Sequence, residues 1–166
     1  MGTDTMIGSA LQAIQQVLKA LRRAVTGLFR PPPALPVVLA EIRAVLALND
    51  PITLTIQPEP AWTEAGRVLC GEADLDTREV VLYAGSCSGP ADLYATLLHE
   101  LVHVRLDESR HNAAFKRAYA AAANRLWGLP LTSGAAARMP FRTLDCAVAA
   151  AAQRAIRSGW PAASEN

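Results

Sequence analysis

The sequence predicts an α+β fold: a small three-stranded sheet, antiparallel or mixed, packed by helices, with an extra amphipathic helix at the N-terminus. Two observations lead there. Residues 52–84 alternate β-branched, apolar and polar side chains between turn signals, while the segments on either side repeat their apolar residues at helical spacing. The chain has 166 residues, about half of them apolar and 19% charged, which is the size and composition of one globular domain. Much of the apolar share is alanine, so the helices are expected to pack closely through small side chains.

The elements follow in order. Ile7, Leu11, Ile14, Leu18, Leu21, Val25 and Leu28 step by four and three, a heptad seam that predicts an amphipathic helix within residues 1–30. "RPPPALP" ends it, because proline lacks the amide donor and turns the preceding residue away from helical space. Residues 31–36 are thus a linker, and 37–160 the compact domain. "LPVVLAEIRAVLALND" reads as a helix with Leu39, Ile42, Val45 and Leu46 on one face. "ITLTIQP" is a strand. "GRVLCGEADLDTREVVLYAG" reads as a hairpin with strands Arg67–Gly71 and Glu79–Ala84 around a turn at Asp74–Thr77, giving a three-stranded meander. Pro90 or Asp92 opens a helix carrying Leu93, Leu97, Leu98, Leu101 and Val102 to about Leu106. A second, Ala-rich helix is expected from Ser109 to Trp127, then a loop "LTSGAAARMP", then a last helix from Thr143 to Arg157.

Charge and cysteine content narrow the function. Formal net charge is +1, so the global balance offers no electrostatic drive towards nucleic acid. Basic clusters at Lys19, Arg22, Arg23 and Arg30, and at Arg105, Arg110, Lys116 and Arg117, read as solvated helix faces. Cys70, Cys87 and Cys146 contain no CxxC pair, which excludes a thiolate zinc ribbon and suits a reducing compartment. The N-terminal apolar residues are interleaved with Gln, Lys and Arg, unlike a secretory signal, so a cytoplasmic location is expected.

All three histidines, His99, His103 and His111, fall within "LLHELVHVRLDESRHNAAF". His99-Glu100-Leu101-Val102-His103 is HExxH. Residues i and i+4 share a helix face, so both imidazoles can reach one metal ion, and imidazole pairs suit Zn²⁺. Glu100 projects about 100° from His99, outside direct ligation but within reach of a zinc-activated water, where a general base must sit. A third ligand is needed. Asp107 on a continuous helix would lie about 12 Å along the axis from His99, too far for one ion. The helix must therefore end after His103, with Asp107 and Ser109 as candidate N-caps for the next one. The turn between them can fold His111 back to the metal, with Glu108 as the competing ligand. An acidic residue there could instead hydrogen-bond a ligand imidazole. His111 is the favoured third ligand, leaving an open coordination position of catalytic type.

"HELVH" followed by "HNAAF" resembles the SprT-like zincin metallopeptidases across about Arg67 to Trp127. The resemblance implies a zincin-like minimal metallopeptidase domain whose sheet edge lies beside the active cleft. It matches His99, His103 and His111 to the zinc ligands, Glu100 to the catalytic base, and Phe115 to an aromatic packed behind the third ligand. Family members are commonly linked to cleaving DNA-bound proteins. The present chain departs from them in lacking a zinc ribbon and a glycine just before the third histidine, so a DNA partner is the less supported part.

The expected function is a zinc-dependent metalloendopeptidase acting on protein or peptide. The alternative is an inactive zinc-binding interaction module, DNA- or membrane-associated through its N-terminal helix. Tyr83, Tyr94, Arg138 and Arg142 are candidates for stabilising the oxyanion, and Glu79–Ala84 is the candidate edge strand for binding extended peptide.

Overall fold

A computed structural model describes residues 32–161. The expected N-terminal helix and the first residue of the linker lie outside that range. The described elements are α1 (Leu35–Leu46), β1 (Thr53–Gln57), β2 (Ala61–Trp62), β3 (Val68–Leu69), β4 (Gly71–Asp74), β5 (Glu79–Tyr83), a 3-10 turn (Ala84–Ser86), α2 (Pro90–Leu106), α3 (Ala113–Trp127), α4 (Ser133–Arg138) and α5 (Phe141–Ser158). The α+β class with a mixed three-stranded sheet is as expected. Among the described residues no helix is long and apolar enough to cross a membrane.

Helix α1 starts at Leu35 with Pro36 in its first turn, where a missing amide costs nothing. It ends at Ala47 in the left-handed region, and the Arg43 guanidinium secures the exit by donating to the carbonyls of Leu48 and Asp50. Val38, Ile42 and Leu46 face the core.

The sheet runs β1-β5-β4. β1 is parallel to β5, with Thr53 opposite Glu79 and Gln57 opposite Tyr83. β4 is antiparallel to β5, from Gly71 opposite Leu82 to Asp74 opposite Glu79. This corrects two expectations. The sheet is not a meander, because the most apolar strand, "EVVLY", takes the centre, where Val80 and Leu82 are wholly buried. A run that apolar is most stable paired on both edges and covered by helix. The hairpin also sits later than expected. Asp74 Oδ1 accepts from the amides of Asp76 and Thr77, an Asx turn that fixes the reversal at 75–78 and makes Gly71–Asp74 the partner of β5. Val68–Leu69 instead pairs with Ala61–Trp62 in a separate ribbon.

Helix α2 packs against β4 and β5 of the sheet and against α1, α3 and α5. Leu97, Leu98, Leu101 and Val102 are fully buried along it; each such side chain contributes about 1.5–3 kcal/mol by leaving water. The α3–α5 contact uses alanines as expected: Ala120, Ala123, Ala151 and Ala152 are fully buried. Three boundaries differ from the sequence reading. α3 starts at Ala113 because Asn112 caps it, its side chain accepting from the Phe115 amide. The segment read as loop contains α4, capped by Thr132 accepting from the Ala135 amide. α5 begins at Phe141, directly after Pro140.

Candidate metal centre

The site begins with the way α2 ends. Asp107 adopts a left-handed conformation, φ 50°, and its amide bonds back to the His103 carbonyl; the Glu108 amide reaches the same carbonyl at 3.3 Å. Asp107 is therefore the C-cap of α2, and neither it nor Ser109 caps the next helix. Glu108 braces the return. Its carboxylate accepts from the Arg110 amide and from Asn112 Nδ2, both at 3.0 Å. That holds Asn112 in place as the cap of α3 and brings His111 back over α2.

The three imidazoles converge. His99 Nε2 is 3.0 Å from His103 Nε2 and 2.9 Å from His111 Nε2, and His103 Nε2 is 3.1 Å from His111 Nε2. Nitrogens bound to one tetrahedral zinc stand about 3.3–3.4 Å apart, given bonds of about 2.0–2.1 Å. The observed triangle is tighter by a few tenths of an ångström and has the right shape. Its chemistry fits as well. His103 Nδ1 donates to the Glu108 carbonyl, which fixes the tautomer and leaves Nε2 with a bare lone pair. With His99 and His111 in the same tautomer, three lone pairs face one another and repel unless a cation lies among them. The cluster is the one set of His, Cys, Asp and Glu side chains among the described residues able to hold a metal ion.

Burial favours the ligating form of each ring. His99 is pushed down to about 3, first by burial and then by the neighbouring His103 and His111. His103 is lowered by burial, against the opposing pull of the Glu108 carbonyl. His111 is lowered by burial and by His103. All three are neutral at neutral pH, as a metal requires. Behind them lies Phe115, fully buried, with its ring 4.3 Å from that of His103, 5.1 Å from His99 and 5.0 Å from His111.

Glu100 is 7% exposed. Its Oε1 stands 4.0 Å from His99 Nε2, outside direct contact with the triangle but close enough to meet a water there. Its carboxyl is pushed up to about 8 by burial, then by the Glu72 and Asp145 carboxylates. A cleft of about 380 Å³ opens above these groups, lined on one side by Val68, Leu69, Cys70 and Gly71 and on the other by residues of α2, His111 and Asp145. Gly71 permits this closeness: a Cβ there would lie 2.7 Å from Thr96 Cγ2 and 3.2 Å from Glu100 Cγ.

No family model matches the chain, and no curated protein matches it. Among solved structures, the crystal structure of the metallopeptidase zymogen of Pyrococcus abyssi abylysin aligns at 17% identity over 53% of this chain and 78% of that one, with a TM-score of 0.44.

The histidine constellation was legible in the sequence; its surroundings were not. None of the four oxyanion candidates lines the cleft. Tyr83 donates to Glu72 and Tyr94 to the Pro33 carbonyl. Two neighbours of the histidines went unread. Phe141 stacks on His111, and Asp145 lines the cleft with its Oδ1 accepting from Tyr119 Oη at 2.8 Å. The available signal for Asp145 was that it is the sole acidic residue of "FRTLDCAVAAAAQRAIRS", next to the apolar face.

Proposed function

We propose that the chain is a zinc-dependent metalloendopeptidase of the SprT-like kind, acting on protein or peptide in the cytoplasm. His99, His103 and His111 hold the metal and Glu100 is the general base. The observation that carries this reading is the convergence of the three Nε2 atoms to within 2.9–3.1 Å, with Glu100 Oε1 4.0 Å from one of them. Zinc held by these rings would supply Lewis acidity, polarising a scissile carbonyl and drawing the pKa of water towards neutrality.

The chain's own residues do the rest. Glu100 Oε1 takes a proton from the attacking water and passes it to the leaving amide nitrogen. Burial raises the Glu100 carboxyl in the metal-free site, and a divalent cation beside it would pull that value back down, leaving a carboxylate able to accept the proton and then to release it. Phe115 packs against all three rings and the Glu108 carbonyl holds His103 Nδ1, which limits how far the ligands can turn.

Substrate binding falls to β4. β5 is the central strand, paired on both edges, so Glu79–Ala84 is not the edge strand. Gly71–Asp74 is paired to β5 alone, and its first residue lines the cleft. An extended peptide added along this edge would present an internal peptide bond to the histidines, which favours endopeptidase action.

The test is cleavage of an unstructured protein by the zinc-loaded chain, alongside Glu100→Gln. The expected result is cleavage by the natural chain and a loss of about 10²-fold or more in Glu100→Gln with zinc retained. Undiminished cleavage by Glu100→Gln would overturn the assignment of the base. A zinc-loaded natural chain that cleaves nothing would favour the interaction-module reading.

A further inference from the structure

Asp145 is a carboxylate the proposed reaction does not use. It sits in the first turns of α5 and lines the same cleft as Glu100. One oxygen is held by Tyr119 Oη at 2.8 Å, and Tyr119 is itself fully buried, so the carboxylate is fixed rather than swinging in solvent. Arg78–Asp50 is the one Lys or Arg ion pair among the described residues, and no Lys, Arg or His nitrogen stands within ion-pair distance of Asp145 there. The cleft lining holds two carboxylates, Glu100 and Asp145, and no Lys or Arg. Tyr119 Oη satisfies one oxygen of this partly buried carboxylate; the other takes no hydrogen bond from the described residues, and the open direction from which a partner can arrive is the cleft.

We propose that Asp145 is a specificity-determining residue that receives a cationic nitrogen of the substrate, a Lys or Arg side chain near the scissile bond. The inference rests on the peptidase reading for its meaning, while its test is one of binding. The same carboxylate chemistry would accept a free N-terminal ammonium, so the experiment has an arm for each source. Charge pairing at this site discriminates basic from neutral residues of similar length, because a neutral side chain leaves the carboxylate unpaired.

The experiment uses the full zinc-loaded chain carrying Glu100→Gln, so that peptides are bound and not consumed. Fluorescence anisotropy follows peptides labelled at the C-terminus and acetylated at the N-terminus, identical except for one central residue: Lys, norleucine or Glu. A fourth peptide has norleucine and a free N-terminus. The Lys peptide should bind about tenfold more tightly than acetylated norleucine. This difference should vanish on adding Asp145→Asn, whose amide oxygen can still accept from Tyr119, and Asp145→Lys should favour the Glu peptide. Preference for the free-amine peptide in place of the Lys peptide, also abolished by Asp145→Asn, would uphold the cation and assign it to the chain terminus. Equal binding of all four peptides, a preference that survives Asp145→Asn, or zinc loss in Asp145→Asn with preference unchanged would each overturn the proposal. If the natural chain cleaves none of these peptides although the binding differences hold, the peptidase reading fails and the cation site stands.

Discussion

Phe141 stacks flat on His111, ring centroids 4.1 Å apart and planes 6° from parallel. His111 is the exposed member of the triangle, so this face and Phe115 behind it are what hold it still. Phe141→Ala should leave the fold intact and weaken zinc binding roughly three- to tenfold, since an aromatic contact of this kind contributes about 0.5–1.5 kcal/mol. Competition titration with a chelating dye measures it. Unchanged affinity would mean that the turn after α2 alone sets His111.

Gly71 should tolerate no side chain. Alanine there would press on Thr96 Cγ2, Glu100 Cγ and Leu82 Cδ2, pushing β4 off α2 at a cost of about 1–3 kcal/mol. Thr96→Ser removes the nearest methyl, so adding it to Gly71→Ala should restore part of the loss. Urea melts of the two single variants and the double variant give the coupling; strict additivity would contradict the contact.

Glu108 and His111 separate by metal content. His111→Ala removes a ligand and should release zinc under mild chelation. Glu108→Ala keeps the backbone carbonyl that receives the His103 Nδ1 proton and loses only the braces to Arg110 and Asn112. It should retain one zinc at an affinity reduced up to about tenfold. Zinc lost from Glu108→Ala and kept by His111→Ala would reverse the ligand assignment.

The metal-free chain should show the burial of Glu100 in its stability. Its carboxyl stands at about 8 when folded against an ordinary 4.5. Between these values the folded state holds a proton that the unfolded state releases, so stability falls as pH rises through the window, with the full cost present above about 8. Glu100→Gln carries no such cost. Without metal it should exceed the natural chain at pH 9 by up to about 5 kcal/mol, with the advantage gone below pH 4.5. The histidines act in the opposite sense. With His99 held near 3 against 6.5, stability falls as pH drops from 6.5 towards 3 in both proteins. Melts of both from pH 4 to 9 decide it; parallel profiles would show that Glu100 is not buried as described.

His99 and His103 were readable because helix periodicity alone places residues i and i+4 together, His111 because "LDESR" marks a break that can return the chain, and Phe115 only through the resemblance of "HNAAF" to the SprT-like motif. Phe141 and Asp145 were not readable. Both reach the site through the docking of α5 on α2 and α3, a long-range contact that no local period encodes. The hairpin was found with its first strand misplaced, since the alternation in "GRVLCGEAD" fits either register. The Asx turn at Asp74 chooses between them, and the parallel pairing of β1 with β5 depends on which strand most needs the centre of the sheet.

We propose that His99, His103 and His111 form one zinc site. Elemental analysis combined with X-ray absorption at the zinc edge tests it most directly. The expected result is one zinc per chain with three imidazole nitrogens at about 2.0–2.1 Å, and no stoichiometric zinc in the variant carrying His99→Ala and His103→Ala. A natural chain that takes up no zinc, or zinc whose shell contains sulfur, would contradict it.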